Sequence, residues 1–124
     1  KYDGRKRTTI PIYFAFSYPY TLKELNQRIK ELNNRFSNHP TVYFHKGILT
    51  QSYQGNPVHL LTISSQQLKS DLEDFDLWES KKDVPHLFND KKIVFLSARV
   101  HPGETVGSFM CQGFLNFILS DDPR

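Results

Sequence analysis

The chain has 124 residues, a net charge of +3 at neutral pH, and hydrophobic and aromatic shares of 38% and 14%. Such a composition packs a core, so intrinsic disorder is excluded, and the length suits one modest domain or part of a larger one. A single cysteine excludes an internal disulfide and fits a reducing compartment, while no apolar run approaches the roughly 18 residues of a membrane span and no signal-like segment leads the chain.

The amino end carries Lys1, Arg5, Lys6 and Arg7 but lacks the extended basic and aromatic pattern of a nucleic-acid surface, so a solvated terminus is expected and no nucleic-acid partner. Residues 10–18, IPIYFAFSY, predict a strand from their aromatic and β-branched content, with Pro11 confining its start to an edge. Thr21-Leu22-Lys23-Glu24 is a capping box opening a helix whose Leu22, Leu25, Ile29, Leu32 and Phe36 fall on one face. Asn38-His39-Pro40 ends it. Residues 41–52 and 58–64 then predict a hairpin turning at Gln54-Gly55-Asn56-Pro57. His39, His45 and His59 have no fixed spacing to a further ligand and are read as surface or hydrogen-bonded residues. Residues 66–89 form a long connection. Its acidic run from Asp71 to Glu79 surrounds Phe75, Leu77 and Trp78, and reads as a solvated loop pinned by its aromatics.

The next stretch carries chemistry. Lys91 and Lys92 lead into Ile93, Val94, Phe95 and Leu96, an apolar run that predicts a strand buried on both faces and hence a parallel-rich sheet. Pro102 and Gly103 break it, and Val106, Phe109, Met110, Phe114, Phe117 and Ile118 recur at helical spacing. His101 and Glu104, an His-x-x-Glu pair, therefore fall on a strand-to-helix turn, where open α/β sheets place ligands. An imidazole nitrogen and a carboxylate oxygen both suit Zn2+, and Gly103 is expected to give the turn the freedom to bring them together. Two ligands are one fewer than a catalytic zinc takes, so another must come from elsewhere. Arg99, two residues ahead of the His, is a candidate substrate-binding cation; strand-end packing or a surface ion pair remains open for it. Cys111 has no base to activate it and reads as a packing residue.

Ser97-Ala98-Arg99-Val100-His101-Pro102-Gly103-Glu104-Thr105, with Ser108 and Gly113 to Ser120, resembles the cytosolic carboxypeptidases, the Nna-like branch of the zinc metallocarboxypeptidases. The resemblance extends to Tyr13-Phe14-Ala15-Phe16-Ser17-Tyr18-Pro19-Tyr20 and to Leu60-Leu61-Thr62-Ile63-Ser64, and thus covers nearly the whole chain. The final FILSDDPR looks most like the subgroup that removes branch-point glutamate from polyglutamylated tubulin.

What the resemblance implies is an α/β fold: residues 20–124 as the first part of a carboxypeptidase catalytic domain with a mixed sheet and flanking helices, and residues 1–19 as the end of a preceding β-sandwich domain. It assigns His101 and Glu104 as the first two zinc ligands. No catalytic residue falls in the segment: the third ligand, the general base and the carboxylate clamp are expected downstream, so the segment alone is expected to be inactive. Glutamylated protein tails such as tubulin's are the implied partners, in the cytoplasm, nucleus or at microtubules, with no membrane partner. Open sheet edges would favour dimerisation or strand exchange. A competing reading is a non-catalytic α/β interaction module in which the turn is structural.

Overall fold

A computed structural model describes residues 10–67, 69, 84–88 and 90–121. Its elements in chain order are α1 (Leu22–Phe36), β1 (Val42–Gln51), β2 (Pro57–Ser65) and α2 (Thr105–Ile118). They belong to two compact units. One runs from Thr21 to Phe95, and the other joins the stretch up to Tyr20 with everything from Leu96 onward.

In the first unit, α1 starts as its local chemistry requires. The Thr21 hydroxyl accepts from the Glu24 amide at 3.2 Å, and the Glu24 carboxylate accepts from the Thr21 amide at 2.6 Å. The free N–H groups of the first turn are thus satisfied reciprocally. The apolar stripe then buries Ile29, Leu32 and Phe36, with Phe36 only 2% exposed. Its ring lies 6.1 Å from that of Phe44 on β1, so the helix packs against that strand. Truncating a ring buried to this degree costs about 3–5 kcal/mol.

The strands β1 and β2 pair antiparallel from Val42 opposite Ser65 to Gln51 opposite Pro57. Between Ile48 and Thr50 the register shifts by one, which leaves Leu49 as an extra residue on β1. Gly55 takes φ 75° in the connecting turn, a left-handed conformation glycine adopts at no steric cost, and its amide donates to the Ser52 carbonyl at 2.8 Å. His39 fastens the start of β1: its Nδ1 accepts from the Val42 amide at 3.2 Å. The Tyr43 ring meets Phe88 edge-on at 5.1 Å and its hydroxyl accepts from the His86 amide at 2.8 Å. Lys91 closes the unit, donating to the Ser64 hydroxyl at 2.7 Å and the Ser65 carbonyl at 2.9 Å while its ammonium sits 4.4 Å over the Phe88 ring.

The chain is mixed α/β, and the helix and hairpin fall where the sequence places them. Two expected strands do not form. Residues 10–18 are irregular, and so are residues 92–99, with Ile93 91% and Phe95 79% exposed. A strand exists only through neighbours that take its N–H and C=O groups, and among the described residues the sheet holds β1 and β2 alone. The expected parallel-rich sheet is accordingly an antiparallel pair here. The basic amino end, the acidic run from Asp71 to Glu79 and residues 122–124 lie outside the described residues. No helix among the described residues is long and apolar enough to cross a membrane.

Candidate metal-binding turn

The second unit carries the His-x-x-Glu turn. After Val100 the chain bends through His101, Pro102 and Gly103, and the Glu104 amide donates back to the His101 carbonyl at 3.1 Å. The Thr105 amide reaches the Gly103 carbonyl at 3.0 Å, and α2 begins with Glu104 as its capping residue. Unlike Thr21 in α1, Glu104 makes no side-chain cap. Its carboxylate is left for other use.

Several polar groups around the turn are committed. Arg99 turns its guanidinium onto the bend: Nε and Nη2 donate to the Pro102 carbonyl at 2.9 and 2.7 Å, and Nη1 donates to the Tyr20 carbonyl at 3.2 Å and the Ser108 hydroxyl at 3.3 Å. The Ser17 and Thr105 hydroxyls pair at 2.9 Å, and the Tyr20 ring stands edge-on to Phe109 at 5.1 Å. His101 and Glu104 are both exposed, and neither side chain bonds to another described residue. Both side chains of the turn that have metal-ligand chemistry are thus left uncommitted by the described residues.

The bend passes through Gly103 without using the conformational freedom that the sequence suggested for it. Gly103 has no left-handed backbone, and a Cβ added there would meet no atom within 4 Å. The positive φ lies instead on Arg99, at 63°. Gly107, in the first turn of α2, lies beside the Arg99 backbone: a Cβ there would sit 3.5 Å from the Arg99 amide nitrogen, an ordinary contact. The sequence marks Arg99 as a candidate substrate-binding cation, and Tyr20 and Ser108 only as part of the family resemblance, not as its hydrogen-bond partners.

As a donor set the pair fits zinc so far as it goes, with one imidazole nitrogen and one carboxylate oxygen. Among the described residues no group of three or more His, Cys, Asp or Glu side chains converges. The histidines of the first unit are used elsewhere, His39 at β1 and His59 through Nε2 to the Asn26 amide oxygen at 3.2 Å.

Comparison with known sequences decides the family. The profile of the zinc carboxypeptidase family matches residues 25–124. This chain belongs to that family. Cytosolic carboxypeptidase-like protein 5 of Ailuropoda melanoleuca is 43% identical over 136 residues, covering 98% of this chain and 15% of the relative. Human cytosolic carboxypeptidase 1 is 35% identical over 111 residues, covering 90% and 8%, and cytosolic carboxypeptidase 2 of Xenopus tropicalis is 39% identical over 112 residues, covering 90% and 10%. The zinc carboxypeptidase segment described here thus spans a small part of the length of the curated relatives it matches.

Proposed function

We propose that His101 and Glu104 are two of the three protein ligands of a catalytic zinc in a metallocarboxypeptidase that removes C-terminal or branch-point glutamates from glutamylated protein tails such as those of tubulin. The observation that carries this reading is the contrast on one turn: the Arg99, Ser108, Ser17 and Thr105 side chains are all hydrogen-bonded, whereas the His101 and Glu104 side chains are exposed and uncommitted. An unengaged imidazole and carboxylate three residues apart, within a zinc carboxypeptidase sequence, are ligands in search of an ion.

Zinc held there would supply Lewis-acid polarisation of the scissile carbonyl and a water acidic enough to attack it near neutral pH. The chain's own contribution is positional. The Glu104 amide bonded to the His101 carbonyl fixes the spacing of the two ligand side chains, and α2 anchors the carboxylate end of the pair. A net charge of +3 favours an acidic tail over a basic one. The relatives' names place them in the cytosol, and we assign this protein the same compartment. Residues 1–19 are assigned to the end of a preceding β-sandwich domain and residues 20–124 to the start of the catalytic domain.

The test is glutamate release from a peptide ending in a glutamate chain, using the longest natural polypeptide that contains these residues. Release abolished by a zinc chelator and restored by zinc is expected, and the isolated 124-residue segment, with two ligands, is expected to release none. Cleavage that persists in chelator would remove the zinc reading. Intact binding to the peptide with no cleavage at any zinc level would favour an interaction module instead.

A further inference from the structure

The exposed ligand pair poses a physical question: what holds His101 and Glu104 in place, when neither side chain is hydrogen-bonded to the described protein? The answer must lie in the backbone that carries them, and beside the turn's own bonds one side chain, that of Arg99, holds that backbone. Arg99 is the single non-glycine residue with positive φ among the described residues. A residue with a Cβ rarely takes that conformation, and it persists where surrounding bonds over-determine it. Here they do. All three guanidinium nitrogens are occupied, and their acceptors lie on three separate pieces of chain: Tyr20, Pro102, and Ser108 in the first turn of α2.

The Pro102 carbonyl is the informative acceptor. Pro102 directly follows His101 and stands two residues before Glu104, so its carbonyl belongs to the middle peptide of the short link that joins the two ligand residues. Two guanidinium nitrogens converge on that one oxygen, at 2.9 and 2.7 Å. The fork shape matters: a planar guanidinium directs several N–H groups in fixed directions at once, which a single ammonium does not. The remaining nitrogen ties the same group to Ser108 and Tyr20, so the turn is referenced to α2 and to Tyr20 of the same unit. The left-handed kink and the guanidinium's return to its own turn thus fall on the same residue.

We propose that Arg99 is the positioning residue of the metal turn, a brace that presets His101 and Glu104 for the ion by holding the Pro102 carbonyl, in place of contacting substrate itself. The proposal rests on the reading that His101 and Glu104 ligate zinc. Groups that orient ligands without touching the ion typically change metal affinity about 10–100-fold when removed.

The experiment uses the longest natural chain that contains these residues, stripped of metal and titrated with zinc against a chromophoric chelator. His101→Ala serves as the control for the ligand assignment, and thermal unfolding of the metal-free proteins is recorded alongside. Arg99→Lys, which keeps the charge and loses the fork, is expected to weaken zinc binding about 10–100-fold while the metal-free unfolding temperature stays near that of the parent. Arg99→Gly, which relaxes the kink but also lacks the fork, is expected to show the same loss, assigning the effect to the side chain. If His101→Ala abolishes zinc binding while both Arg99 variants bind within twofold of the parent, the brace is overturned and the ligand assignment stands. If His101→Ala leaves zinc binding unchanged, the ligand assignment falls and the brace with it. If both Arg99 variants fail to fold, Arg99 belongs to the fold and the positioning role is overturned.

Discussion

The Arg99 guanidinium grips the Pro102 carbonyl with two nitrogens, at 2.9 and 2.7 Å, across the bend that carries His101. The bend thus has a side chain holding its middle carbonyl and makes no use of a glycine-only conformation at Gly103. Gly103 has open space around its Cβ position and no left-handed backbone. Gly103→Ala is therefore expected to change stability by no more than about 0.5 kcal/mol, as surface substitutions do. Chemical denaturation checks this; a loss above about 2 kcal/mol would show that the turn needs glycine after all.

The capping box at the head of α1 gives a second expectation. Thr21→Ala leaves the Glu24 amide without its acceptor, at a cost of about 1 kcal/mol, read as a lower denaturation midpoint. The Glu24 carboxyl titrates below its ordinary value because it accepts hydrogen bonds from the Thr21 backbone and then from the Thr21 side chain. A depressed carboxylate contributes stability that is present above its unfolded value and lost as pH falls through the folded one. The cap should thus weaken in acid in the parent, with the acid-dependent part reduced in Thr21→Ala.

His59 supplies a pH dependence in the other part of the range. Burial lowers its titration first, the charge of Lys46 adds to this, and a backbone bond to Gly47 works in the opposite direction. The register explains Lys46: it lies opposite Leu61, one diagonal step from His59 on the same face of the sheet. Because the folded state binds the proton less tightly than the unfolded chain, stability is full above the unfolded histidine value of about 6.5 and declines as pH falls below it. Replacing His59 with Gln, which retains a partner for Asn26, is expected to flatten the stability profile between neutral and mildly acid pH. An unchanged profile would place the dependence on another group.

Burial also raises the titration of the Cys111 thiol on α2. Less thiolate is present near neutral pH than for a free cysteine, so alkylation of the folded protein should run slower than that of a model thiol and catch up only in alkaline buffer or denaturant. Alkylation at the model rate near neutral pH would contradict the assignment of Cys111 as a packing residue.

How much of this was legible beforehand follows from how far each feature reaches along the chain. The helix α1 was readable because its determinants are local: Thr21 and Glu24 lie three residues apart, and Ile29, Leu32 and Phe36 share a face by spacing alone. The hairpin was readable because Gly55 marks its own turn. Residues 93–96 have the composition of a buried strand, yet a strand is completed by partners, and no described strand stands beside them. His101 and Glu104 were visible as a motif and through the family likeness, but not the state of their neighbours. That Arg99 would kink, fold back and reach Tyr20, 79 positions away, is a tertiary outcome that no spacing encodes. The third ligand that a catalytic zinc would take is equally beyond a reading of this stretch, since a ligand set is assembled in space and not along the chain.

The central claim is that His101 and Glu104 hold zinc, and the most direct measurement is the metal content and zinc affinity of the longest natural chain carrying these residues, beside its His101→Ala and Glu104→Gln variants. The parent is expected to retain about one zinc per chain through dialysis, and each variant to lose it or to bind far more weakly while keeping the parent's circular dichroism. Zinc retained at the parent's level and affinity by both folded variants would contradict the account.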